Sequence, residues 1–184
     1  MSRVPPVERA DLDDGGRRIY DEIATSRGVV HGPFGVLLHS PELAVRTARL
    51  GAYVRYEAPM PARQRHLIAL IASRAFDCQY EFTVHARLAR DEGIPPDAVA
   101  TIGRGEVPNG LSEDEVLVVS LARQLILDHR IEDALFATIV DRVGLERFTD
   151  MVGAIAYFSM VAFPLNAFDV GVRPEHTPEL PALS

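Results

Sequence analysis

"PARQRHLIALIASRAFDCQYEFTVHARLA", Pro61 to Ala89, holds the pattern on which the fold turns. Apolar residues recur here at three- and four-residue spacing, the period of an amphipathic helix, and they do so nearly throughout the chain. No convincing run alternates as a strand does, and no hairpin turn interrupts. The expected class is therefore all-α, a single-domain helical bundle. Pro61 suits the first turn of a helix holding His66, Leu67, Leu70 and Ile71. Asp77 reads as the N-cap of a new helix from Cys78 to about Glu92, with Gly93 as its stop.

Towards the N-terminus, Asp13 or Asp14 caps an expected helix with Ile19, Tyr20 and Ile23 that ends at Gly28. "VVHGPFG" reads as a loop, and Pro41 opens a helix running to about Tyr56. Towards the C-terminus, "IPPDAVATIG" reads as a short helix and "GRGEVPNG" as a loop. Ser112 and Glu115 form an S-x-x-E capping box, where each side chain satisfies an orphan backbone donor, so a helix is expected from there to about His129. Two more follow, about Glu132 to Val143 and Leu145 to Phe163, with Pro164 bending or ending the last. The tail "RPEHTPELPALS" lacks the apolar residues to build a core, and is expected to wrap a neighbour or stay mobile.

Composition narrows the function classes. With 184 residues, 47% of them hydrophobic, the chain can bury a sizeable core. A formal charge of −7 without a Lys/Arg-rich run argues against nucleic acid and anionic membrane as partners, because both select basic patches. The start has two prolines and acidic residues where a secretory signal needs a basic end and an apolar run. The longest apolar stretch, "MVGAIAYFSMVAFPL", is shorter than the roughly 20 residues that span a bilayer. The cytoplasm is the expected compartment. One cysteine allows neither an internal disulfide nor a two-cysteine redox cycle within one chain.

On a helix, Cys78, Glu81 and His85 project within an arc of about 60°. Phe82, Leu88 and Ala89 lie on or beside that arc, so the polar trio falls in the stripe that should face the core. Two readings stand for each residue. Cys78 is either a small buried hydrophobe or a thiolate favoured by the backbone N–H groups of the first turn. Glu81 and His85 are either an ordinary i,i+4 pair, worth about 0.2–0.5 kcal/mol, or a desolvated acid/base unit in which the carboxylate orients the ring. His66, one helix earlier, is a satisfied structural histidine or a third titratable group brought near by a tight bend. The remaining histidines show no ligand spacing, so no metal is expected. With no P-loop, G-x-G-x-x-G or G-x-S-x-G, no cofactor is expected either.

The Pro61–Ala89 run resembles the carboxymuconolactone decarboxylase and alkylhydroperoxidase D-like family, in which a C-x-Y-E-W-x-x-H or C-x-x-C-x-x-x-H element follows an Arg- and Glu-rich helix. "GPFGVLLHSPEL" and "LNAF" look like its longer members. The resemblance covers most of residues 30–170, leaving residues 1–29 as an extension with one helix and 171–184 as a tail. It implies an all-α bundle assembled as a homo-oligomer, a trimer or hexamer, with the site near the start of the motif helix.

In the peroxidase branch, cysteines stand at the positions of Cys78 and Glu81, a histidine at His85 and a glutamate at His66. Here Glu81 replaces the second cysteine and His66 the glutamate, which removes the disulfide step and alters the relay. The decarboxylase-like branch keeps the Glu–His element, its catalytic histidine maps onto His85, and it implies chemistry on a small carboxylated lactone or related carbonyl compound.

The leading expectation is a cofactor-independent enzyme performing decarboxylation or proton transfer on a small organic acid or lactone. His85 would move the proton, Glu81 would hold its tautomer, His66 would assist, and the helix start at Cys78 would offer N–H groups to an anion. The alternatives are a thiol-dependent peroxidase or redox sensor using Cys78 with an outside resolving thiol, and a non-catalytic oligomeric ligand-binding protein.

Overall fold

The computed structural model describes residues 2–182, and no strand occurs among the described residues. Helix α1 (Asp14–Arg27) starts where the Asp13 carboxylate accepts the Gly16 N–H at 2.7 Å. It stops at Gly28, whose φ of 78° suits glycine. The stretch expected as a loop ends instead in a short helix, α2 (Pro33–Leu37). Pro33 presets its first turn, and burial of Phe34, Val36 and Leu37 supplies what so short a helix lacks by itself. Helix α3 (Pro41–Ala52) runs into a wide π turn, Tyr53–Glu57. Ile23, Phe34, Leu38, Ala44 and Ala48 close a small core among these three helices.

Helix α4 (Ala62–Ala75) is the axle of the main core. From His66 to Arg74 every residue is buried, as expected of a helix packed on all sides. Its neighbours are α5 (Gln79–Asp91), α6 (Pro96–Gly103), α7 (Glu113–Arg123) and α8 (Asp133–Ala167). Burying Leu67, Ile68, Leu70 and Ile71 contributes roughly 1.5–3 kcal/mol each. The capping box before α7 is present: Glu115 N–H donates to Ser112 Oγ at 3.3 Å, and Ser112 N–H to Glu115 Oε2 at 2.9 Å. A second π turn, Gln124–Asp128, follows α7 and ends at His129, left-handed with φ 61°.

Three expectations are corrected here. The last helix breaks at Gly144 (φ 80°, ψ 162°) but runs past Pro164 to Ala167. Proline inside a helix loses one backbone bond, yet Val161, Ala162 and Leu165 are buried in the core and hold the final turn, and Phe168 N–H donates to Pro164 O at 3.0 Å. By length and composition α8 could cross a membrane. In this fold Met151, Ala154, Ile155, Phe158 and Val161 are core residues.

The tail neither dangles nor needs a neighbour, because it lies along α5 of its own chain. Arg90 forks Glu179 at 2.8 and 2.7 Å, Glu179 N–H donates to Thr83 Oγ1 at 3.1 Å, and Arg74 Nη1 donates to Pro181 O at 2.6 Å. Leu180 adds the apolar contact.

Asp77, finally, does not cap α5. With φ 50° it is the left-handed residue that closes α4: its N–H donates to Arg74 O at 3.2 Å, and the next N–H, of Cys78, reaches back to Ser73 O at 2.8 Å. This is a Schellman stop built on aspartate in place of glycine, with the side chain paired to Arg74. Gly93 closes α5 by the same pair of bonds, Gly93 N–H to Arg90 O and Ile94 N–H to Ala89 O, both at 2.9 Å.

Candidate functional site

The Schellman stop decides the fate of the cysteine. Cys78 is the residue after the left-handed position, where an apolar side chain commonly folds back on the helix it terminates. It is also the N-cap of α5 rather than a member of its first turn. Its side chain is 1% exposed within the main core. Burial pushes the thiol up to about 12, and the Glu81 carboxyl adds to the rise. The N–H groups of Tyr80 and Glu81 pull the other way without closing a cap hydrogen bond. Of the two readings of Cys78, this environment favours the small buried hydrophobe: desolvation of the sulfur outweighs the helix start.

One turn and two turns further on, Glu81 and His85 are buried at 4% and 3% exposure, on the inward stripe expected for them. No hydrogen bond joins them among the described residues, which corrects the reading that Glu81 orients the ring. His66 takes that place. The tight α4–α5 turn brings His66 Nδ1 to 3.0 Å from His85 Nδ1, with ring centroids 5.2 Å apart. One Nδ1 must carry the proton and the other a lone pair, so the two tautomers are tied together.

Burial, then Arg65 and Arg55, holds His66 down to about 4. Burial, then Arg55 and His66, holds His85 well below its ordinary value. Both rings are neutral at pH 7. Burial also raises Glu81 well above the carboxylate range, against a smaller opposing pull from Arg55, which favours its protonated form. Its Oε2 is buried without a partner.

Glu81 and His85 line a cavity of about 50 Å³. Pro33, Phe34, Val84, Phe158, Val161 and Leu165 form its apolar wall, and Arg27, Arg55, Tyr80 and Tyr157 complete it. Phe158 meets the His85 ring edge-to-face at 5.1 Å. Gly32, with φ 59°, is needed at the rim, because a Cβ there would sit 2.5 Å from Tyr80 Oη. Since Nδ1 of His85 faces His66, Nε2 is the nitrogen left to the cavity. His66 stands behind His85, and Cys78 lies outside the lining.

Residues 41–124 match the sequence profile described as the Carboxymuconolactone decarboxylase family. The chain carries a carboxymuconolactone decarboxylase-family segment. No curated protein matches this chain. Among solved structures it is similar to an uncharacterized peroxidase-related protein with an alkylhydroperoxidase AhpD core from Ralstonia eutropha JMP134. That pair has a TM-score of 0.77 at 19% identity, covering 95% of this chain and 93% of the other. A peroxidase-related protein from Silicibacter sp. TM1040 gives 0.71 at 17%, covering 94% of each chain. The apo debrominase Bmp8 gives 0.68 at 17%, covering 93% of this chain and 92% of its own. These likenesses establish a shared all-α fold, one that serves more than one kind of protein.

Sequence reasoning missed Arg27, Arg55, Tyr80 and Tyr157. Arg27 and Tyr157 come from helices far along the chain from the motif, and nothing local marks them. Arg55 sits on the π turn after α3, a kind of distortion frequent at functional sites, but its period is not visible in the sequence.

Proposed function

We propose that this protein is a cofactor-independent enzyme that performs decarboxylation or proton transfer on a small organic acid or lactone. His85 takes and returns the proton through Nε2. His66 sets the tautomer of His85, and Glu81 supplies a neutral acid. The observation that carries the reading is the Nδ1–Nδ1 contact behind the cavity. It fixes which nitrogen meets the substrate and lets that nitrogen change between base and acid as the shared proton shifts across the pair. In a decarboxylation, the C–C bond to the carboxylate breaks, its electron pair enters a conjugated carbonyl as an enolate, CO2 leaves, and the carbon receives a proton. The family named for such a reaction supports this reading.

The peroxidase reading draws its support from the names of two similar folds. Against it stand the burial of Cys78 and its place outside the cavity lining. The protein is proposed to act in the cytoplasm as a trimer or hexamer. Exposed apolar side chains such as Leu50, Tyr53, Met160 and Phe163 offer surface for such contacts.

The test is a panel of small acids and lactones, followed in D2O for CO2 release and for deuterium at carbon. Turnover that His85→Gln abolishes and Cys78→Ser leaves in place supports the proposal. Peroxide consumption that is lost in Cys78→Ser and kept in Glu81→Gln would move the assignment to the thiol. No turnover across acids and peroxides, with His85→Ala altering only assembly or melting, would leave a ligand-binding protein.

A further inference from the structure

Two guanidinium groups face the cavity that holds Glu81 and His85, and neither has a carboxylate partner among the described residues. Arg27 comes from the last turn of α1. Its Nη2 makes only long contacts, 3.3 Å to Ala48 O and 3.4 Å to Tyr157 Oη, and its Nε is buried without a partner. The guanidinium lies 4.0 Å over the Phe34 ring.

This placement is built into α3. A Cβ at Gly51 would collide with Tyr157 Oη and lie 2.5 Å from Arg27 Nη2, so the glycine is what lets both side chains in. Arg55 reaches the same cavity from the π turn, and its positive field acts on Glu81, His66 and His85 alike.

Two guanidinium groups thus line the cavity, and neither is paired with a carboxylate among the described residues. Arg27 is partly desolvated there; such a cation calls for a counter-charge, and a guanidinium binds a carboxylate in a directed, often forked fashion. Pro33, Phe34, Val84, Phe158, Val161 and Leu165 supply the apolar part of the wall.

We propose that Arg27 and Arg55 hold the carboxylate of a compact acid with an apolar or carbonyl-bearing body, and that this carboxylate stays attached through the reaction. The inference rests on the acid–base reading above and chooses between its two reaction types. Losing CO2 from a carboxylate drains its charge into the carbon skeleton, so cations on its oxygens stabilise the ground state more than the transition state. In proton transfer the carboxylate keeps its charge. The C–H bond beside a conjugated carbonyl breaks, His85 Nε2 takes the proton, and the electron pair becomes an enolate. A proton then returns to a different carbon, so the net change is isomerisation with no oxidant or reductant. A water needs about 10–15 Å³ of such space, so a cavity of about 50 Å³ suits the carboxylate end of a compact acid.

The experiment uses acetate, propanoate and acetoacetate beside their amides, with binding followed by NMR and acetoacetate in D2O followed for deuterium uptake at carbon and for CO2 above the rate in buffer alone. Carboxylates are expected to bind at least about 10-fold tighter than the amides. Arg27→Met and Arg55→Met should erase that preference. Arg27→Lys and Arg55→Lys keep the charge, and should keep the preference with several-fold weaker binding; they carry the test should a Met variant not fold. Equal binding of amides, or an undiminished preference in folded Met variants, overturns the anchor whatever the turnover. CO2 released from the bound acid overturns the retention of the carboxylate. If the preference behaves as expected but no acid is turned over, the anchor stands and the enzymatic reading fails.

Discussion

Cys78 and His85 stand two turns apart on one helix, both nearly fully buried, and their chemistry is opposite. The sulfur is packed as the apolar residue of a Schellman stop, outside the cavity and held as a thiol. The imidazole meets a second ring through Nδ1 and leaves Nε2 to a cavity. Burial alone thus does not make a group reactive. What distinguishes them is whether the desolvated side chain has space and a partner on the far side.

The largest test of this contrast is turnover on any acid substrate. His85→Gln should lower kcat by about 10²–10⁴-fold, the usual contribution of a positioned acid–base group. Cys78→Ala should stay within a few-fold, and a comparable loss in both variants would erase the distinction. Next in size is thiol labelling. With the thiol at about 12 against an ordinary free value of about 8.5, Cys78 should react with iodoacetamide at pH 7 about 10³-fold more slowly than a free cysteine. Labelling at the free rate in the native state would contradict its sealed position.

The histidine side is sharpened by acid. His66 titrates at about 4 folded against 6.5 in the unfolded chain, so its contribution is complete above 6.5 and is lost as pH falls towards 4. That loss amounts to about 3 kcal/mol, and His85 acts in the same direction. Glu81, raised when folded, runs the other way: its contribution is greatest below 4.5 and declines as pH rises. Urea melts between pH 7.5 and 4 should show an acid limb that flattens in His66→Gln. An unchanged limb would mean that the pair is not held neutral. The smallest effect is expected at the tail along α5. Arg90→Gln, which breaks the partly exposed fork with Glu179, should cost under about 1 kcal/mol in the same melts.

The legible parts of the sequence were those with local causes. The Asp13 cap, the Ser112–Glu115 box, the Gly28 and Gly93 stops and the Gly144 break all appear where their backbone chemistry puts them. The misread parts were decided by contacts between distant segments. Asp77 looked like a cap and is a helix stop, the last helix looked bent or ended at Pro164 and runs on to Ala167, and the tail looked set to wrap a neighbour or stay mobile and lies on Thr83 and Arg90.

For the site, periodicity placed Cys78, Glu81 and His85 on the inward face, and the C-x-Y-E-F-x-x-H element pointed to the family whose profile residues 41–124 match. Neither could give the partners. That His66 holds His85, that Arg27 and Arg55 face the same cavity, and that Cys78 does not, are outcomes of how α1, α3, α4, α5 and α8 pack. A helix's own sequence sets which way a side chain points, because the turn angle is fixed. What it meets there, and therefore its proton, depends on residues that only the folded chain brings together.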